Sequence, residues 1–245
     1  MARPDTAQVP EGGMGAPHFG RSGIGRPSRS IVNRLTPLQL RAARTLFALP
    51  AAAGFALAGG SALVALGVVD RETHDLDAFV AARPGISPGD VRPLAAALIA
   101  TLGAEGWVVE VVRDHDTFAR LLATLNDQRL EVDLAVDSPP LFPLVSIDGI
   151  PTLAPEDLAA RKVLATLDRA EGRDFTDLWE LSRSLGRSDC IRWAGSLDSG
   201  VTVNEVADAF ARLERIADDE LPCSSADRLV VRTWFAEWVS ELRRT

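Results

Sequence analysis

The chain has 245 residues, 47% apolar and 24% charged, an ordinary globular composition with enough length for one large domain or two small ones. Its net charge of −8 is uneven: residues 1–45 carry seven arginines against Asp5 and Glu11, a net of +5, which leaves −13 on the remaining 200. That excludes a uniformly basic nucleic-acid-binding surface but not a local arginine patch.

Two cysteines, Cys190 and Cys223, make no disulfide framework, so a reduced, cytoplasmic setting is expected. No secretory leader is expected. Thr45–Val69 is uncharged but holds Pro50, four glycines and many alanines, and reads as buried core rather than a membrane span. There is no tyrosine, and Lys162 is the only lysine in an arginine-rich chain.

Residues 1–33 are rich in Gly, Pro, Arg and Ser and too poor in apolar residues to order themselves, so a disordered tail is expected. Thr36-Pro37 opens a helix, with a hydroxyl N-cap and proline at the first helical position, and Pro50 stops it. Phe55–Ala58 reads as a buried strand, Ser61–Val68 as a short helix and Asp75–Val80 as a second strand. Ser87-Pro88 opens a helix running to about Leu102. Trp107–Val112 reads as a strand, and Phe118–Leu125 and Arg129–Val136 as a hairpin turning at Asn126-Asp127-Gln128.

Ser138–Leu144, with three prolines, reads as a connector that ends the mixed α/β part near residue 145. Helices are then expected over Pro155–Leu167, Asp174–Leu185, Val203–Ile216 and Ser225–Leu242. The domain division expected is a tail (1–33), an α/β part with a mixed sheet (34–148) and an α-helical C-terminal half (149–245).

The chemistry concentrates in two blocks. Asp75 and Asp77, two apart on a strand, point to one side. Like charges held that close call for a cation, and paired carboxylates suit Mg²⁺, which also takes substrate phosphates. The Gly59-Gly60-Ser61 turn before a helix offers free backbone N–H groups to a phosphate. In Leu130–Leu134, Glu131 and Asp133 share one side of a strand, so Asp133 is a candidate third carboxylate.

Gly59-Gly60-Ser61 followed by Arg71-x-Thr73-x-Asp75-Leu76-Asp77 resembles the signature of the DNA polymerase β-like nucleotidyltransferase superfamily. Leu153-x-Pro155 through Arg161-Lys162, then Arg169 and Arg173-Asp174-Phe175-Thr176-Asp177-Leu178, resemble the second half of the AbiEii/AbiGii toxin nucleotidyltransferases. That family includes mycobacterial toxins that add nucleotides to tRNA. Thirteen residues separate Ser61 from Asp75, slightly more than the superfamily commonly has, and the C-terminal helices match no named pattern.

The resemblance implies a nucleotidyltransferase fold and Mg²⁺-dependent (alternatively Mn²⁺-dependent) transfer of NMP from an NTP to the 3′ end of tRNA. It also implies a toxin role, with an antitoxin partner. Asp75, Asp77 and Asp133 would hold metal. Gly60, Ser61, Arg71 and Lys162 would bind nucleotide phosphates, Arg169 and Arg173 are, like Arg71, phosphate or RNA candidates, and Asp174 would orient Lys162 or the base. A hydroxyl such as Ser61 is a candidate for silencing by phosphorylation.

Each residue also has a plainer reading: Ser61 as a helix cap, Asp174 and Asp177 as acids at a helix start, Arg71, Arg169 and Arg173 as exposed ion pairs, and Lys162 as a solvated residue. Trp234, Phe235 and Trp238 read as core or interface, and three histidines without metal-ligand spacing make zinc improbable. Two other functions fit the same residues: a nucleotidyltransferase acting on a small molecule or protein, and a nucleotide-binding regulator without turnover.

Overall fold

The structure, a computed structural model, describes residues 34–81 and 89–244. The N-terminal tail and the Ser87-Pro88 helix opening lie outside them. Helix α1 (Pro37–Ala48) starts where expected, because Thr36 and Gln39 form a reciprocal cap. The Gln39 amide donates to Thr36 Oγ1 at 3.2 Å, and the Thr36 amide donates to Gln39 Oε1 at 3.0 Å. Strand β1 (Phe55–Ala58) is buried throughout and turns directly into α2 (Gly59–Ala65). Then come β2 (Asp75–Ala81), α3 (Arg92–Ala104), β3 (Val108–Asp114), β4 (Phe118–Leu125) and β5 (Gln128–Asp137). The β4–β5 turn places Asn126 and Asp127 at φ of 50° and 63°, left-handed values that Asn and Asp tolerate best after glycine.

Two strands were not expected. β6 (Val145–Ile147) and β7 (Ile150–Thr152) form a hairpin about Asp148 and Gly149, both at positive φ. The α/β part therefore runs past residue 145, because β7 pairs parallel to β1 with Leu57 opposite Thr152. The sheet has seven strands in the order β3-β4-β5-β2-β1-β7-β6, with β2–β5 and β1–β7 parallel and the other neighbours antiparallel. Alternation along the strands makes one side dry: Leu76, Ala78, Leu121, Val132 and Leu134 are buried. Helices α1 and α3 pack on strands β2, β4 and β5. The other side of β2 and β5 carries acids.

The helical part comprises α4 (Pro155–Asp168), α5 (Gly172–Ser182), α6 (Arg187–Leu197), α7 (Val203–Ala211) and α8 (Ser225–Leu242). Helix α6 was not expected; its buried residues are only Cys190, Trp193 and Ala194, with Ile191 and Leu197 partly buried beside them. Helix α7 ends five residues short of Ile216 because residues 212–215 tighten into a 3₁₀ turn. Phe175, Phe210, Phe235 and Trp238 pack together, with Phe210 and Trp238 ring centroids 4.6 Å apart, so the C-terminal aromatics are core. A single apolar cluster runs from Leu35 to Val239. Among the described residues, no helix is long and apolar enough to cross a membrane.

Candidate active site

The β1–α2 turn is shaped around the acids of β2. Gly59 has φ +56°, and a Cβ there would strike the Asp77 carboxylate. A Cβ at Gly60 would lie 3.1 Å from Arg71 Nη2 and 3.2 Å from Thr73 Oγ1, so its bare backbone faces the same opening. Ser61 sits differently from the phosphate role expected of it. Its hydroxyl is fully buried, donates to the Ala58 carbonyl at 3.0 Å and accepts from the Asp77 amide at 3.2 Å. Here Ser61 ties the glycine turn to the strand that carries the acids.

The acids are brought together by register. β2 and β5 run parallel with Asp77 opposite Asp133 and Asp75 opposite Glu131, and laterally paired residues point to the same side of a sheet. Four carboxylates thus share one patch. Asp77, at its centre, is pushed up to about 7 by burial and then by the negative charges of Asp75 and Asp133. Gln39 steadies the strand entrance: its side-chain amide donates to the carbonyls of Thr73 at 2.9 Å and Asp75 at 3.1 Å. Thr73 Oγ1 donates to Asp75.

The third carboxylate is engaged. Arg120 of β4 donates from Nε and Nη2 to the two Asp133 oxygens at 2.8 and 2.6 Å. Among the described residues, no three acidic, histidine or cysteine side chains converge closely enough to hold a metal by themselves. Asp75 and Asp77 alone fit a magnesium ion, which commonly takes one or two carboxylates and completes its shell with water and substrate phosphates.

Opposite the acids stands a basic wall from α4 and α5. Lys162 is buried and donates to Asp174 Oδ1 at 3.0 Å; its Nζ is also 2.8 Å from Asp177 Oδ2. Asp174 and Asp177, three apart on α5, share one helix side. Arg169 forks Asp174 with two bonds of 2.9 Å, and Arg71 forks Asp177 at 2.9 and 2.8 Å. Burial alone would raise both acids. The Arg169 hydrogen bonds and Lys162 charge at Asp174, and the Lys162 charge and Arg71 hydrogen bonds at Asp177, overcome it and hold both below the usual carboxylate range.

The expected pairing of Lys162 with Asp174 is present. Asp177, Arg120, Gln39 and Arg161 were not counted among the site residues. The i,i+3 spacing of Asp174 and Asp177 was a visible signal for the first; the others depend on cross-strand or tertiary partners. Arg161 donates to Asp137 at 2.7 Å and Asp157 at 2.9 Å, and the Asp157 carboxylate accepts the Leu141 and Phe142 amides at 2.9 and 3.0 Å. These bonds anchor the connector against α4. Arg173 lies 3.5 Å from Asp75.

The resulting cleft is about 450 Å³, within the range of small-ligand sites, and its lining has six acids and six bases. A larger groove of about 760 Å³ runs beside α7 and α8, but its lining holds one acid, Glu214, so it offers no carboxylate pair.

The structure resembles JHP933 from Helicobacter pylori, with a TM-score of 0.52 and 16% identity over 84% of this chain and 91% of that one. It also resembles a candidate nucleotidyltransferase of H. pylori, with a TM-score of 0.50 and 16% identity over 86% and 98%. At that identity the likeness concerns the fold alone. No curated protein matches the sequence. The family model described as the nucleotidyl transferase AbiEii toxin of a type IV toxin–antitoxin system matches residues 43–198, a stretch that contains the glycine turn, the sheet acids and the Lys162–Asp174–Asp177 wall. The chain belongs to the AbiEii toxin nucleotidyltransferase family.

Proposed function

We propose that this cleft transfers a nucleoside monophosphate from an NTP to the 3′ end of tRNA with the help of Mg²⁺, and that the product, a tRNA that cannot be aminoacylated, halts translation. The observation that carries the reading is the polarity of the cleft: Asp75 and Asp77 on the sheet, Lys162, Arg169 and Arg173 across from them. Because the lining charges balance, a triphosphate is accommodated only with its own counter-cation or by loosening ion pairs already present. A divalent ion bound at Asp75 and Asp77 would neutralise charge on the transferred phosphate. Arg173, 39% exposed at its side chain, and Arg169, 44% exposed, are the wall residues with a free approach to phosphate oxygens. In the transfer, the acceptor hydroxyl loses its proton to solvent as its oxygen bonds the α-phosphorus, the bond from that phosphorus to the α–β bridging oxygen breaks, and pyrophosphate leaves with the electron pair.

Support for tRNA as the acceptor comes from the resemblance of the Leu153–Lys162 block, Arg169 and the Arg173–Leu178 block to the AbiEii/AbiGii toxins, a family that includes members acting there. The toxin role brings with it an antitoxin that relieves the arrest, and a cytoplasmic setting where tRNA is found. Incubation of the protein with each labelled NTP and purified tRNA tests this. Label at the tRNA 3′ end, absent with Asp75→Ala, is expected. Label found only in protein or a small molecule would overturn the acceptor, and no label anywhere would overturn transfer.

A further inference from the structure

We propose that the Arg120 guanidinium takes the place of a second divalent cation, so that the cleft holds one metal ion and not two; this rests on the metal-dependent reading above. Arg120 is delivered by the backbone: on antiparallel β4 it is the direct cross-strand partner of Asp133. Both Asp133 oxygens accept from it, at 2.8 and 2.6 Å, and its Nη2 is also 3.2 Å from Glu131 Oε1. Its guanidinium carbon lies 5.8 Å from the centre of the Phe118 ring, two residues back on the same side of the strand. Asp133 and Phe118, both short of rotamer freedom on the same sheet, therefore fix the group, with Glu131 beside it.

The consequence is chemical. Two-metal sites share carboxylates between ions about 4 Å apart, and the third carboxylate must offer a free oxygen. A bidentate arginine takes one in-plane lone pair on each oxygen, so neither oxygen of Asp133 is free of a partner. It also places a permanent positive charge beside Asp133, with only β5 between its own strand and that of Asp77, and a dication arriving at Asp133 would meet that charge. Asp75, by contrast, accepts from Thr73 on one oxygen only, and its other oxygen has just the longer contact, 3.5 Å to Arg173, which leaves that oxygen open to a ligand. The acid patch is thus divided: Asp75 and Asp77 toward a metal, Glu131 and Asp133 toward Arg120. The arginine supplies at the sheet the positive charge that a second ion would bring.

Manganese titration of the full chain, followed by electron paramagnetic resonance in the presence of a non-hydrolysable α,β-methylene NTP analogue, counts the ions. One Mn²⁺ per chain is expected for the wild type and for Arg120→Lys, which keeps the charge. Two are expected for Arg120→Gln, with the line broadening of neighbouring spins. Two ions in the wild type would overturn the proposal, because the arginine would then have yielded to the metal. One ion in a folded Arg120→Gln protein would also overturn it, because another cause would be limiting the count. No bound Mn²⁺ in the wild type would overturn the metal-dependent reading itself.

Discussion

Asp77 has the acidity of a group built to meet a cation. Burial and two neighbouring carboxylates raise it to about 7, whereas an unfolded chain releases that proton near a pKa of about 4. Between those values the native state holds a proton that the unfolded state has lost. Stability therefore falls as pH rises through that window and is flat above it. Asp77→Asn removes the penalty, so the metal-free variant should melt higher than the wild type at pH 8, by roughly 1–2 kcal/mol after screening in an open cleft. The gain should shrink to nothing near pH 4. Melting curves across that range check it, and a gain that is constant with pH would show that Asp77 carries no such charge.

Lys162 calls for a similar distinction between charge and chemistry. It is the cation shared by Asp174 and Asp177, and with Arg169 and Arg71 it lets both stay ionised while fully buried. Lys162→Ala leaves two buried carboxylates short of a partner and should cost about 3–5 kcal/mol of stability. Lost activity in that variant alone therefore says little about phosphate contact. Lys162→Arg keeps the charge, and a fold of near wild-type stability with a raised KM for NTP is the expected outcome. Circular dichroism melts beside initial rates separate the two effects.

At the scale of elements, the glycine turn decides whether the acids are accessible. Gly59 combines a left-handed φ of +56° with close approach to Asp77. Gly59→Ala meets a conformational cost of roughly 1–2 kcal/mol and, in addition, pushes on the carboxylate beneath it. A lower melting temperature together with weaker Mn²⁺ binding is expected; weaker stability with unchanged metal binding would mean that Asp77 is not displaced. This turn was legible in the sequence because glycine pairs and alternating acids are local signals. α1, β1, β4 and α8 were likewise legible from caps, apolar runs and turn residues. The β6–β7 hairpin was not, because its strands have only three residues and their partner is distant β1, although Asp148-Gly149 is a recognised hairpin turn. Arg120 could not be identified either: its meaning comes from standing across from Asp133, and that pairing exists only once the hairpin is in register.

On the scale of the whole molecule, the cleft belongs to both halves of the chain. Arg71, just before β2, is forked by Asp177 of α5, which also holds Lys162 of α4. The sheet acids and the basic wall are thereby tied together by ions buried between them, and the apolar cluster runs through both parts. The sequence suggested a boundary at residue 148 because its pattern changes there from strands to helices. A change of pattern is not a gap in packing. If the halves stand or fall together, the buried Trp107 beside the sheet and the four tryptophans of α5, α6 and α8 should report one transition in urea. Fluorescence of the wild type, fluorescence of Trp107→Phe and far-ultraviolet circular dichroism should then share a midpoint. Arg71→Ala, which strips Asp177 of one partner, should lower that common midpoint without splitting it. Separate midpoints for the two sets of tryptophans would mean that the parts on either side of residue 148 unfold independently, and that the cleft is a contact between two domains.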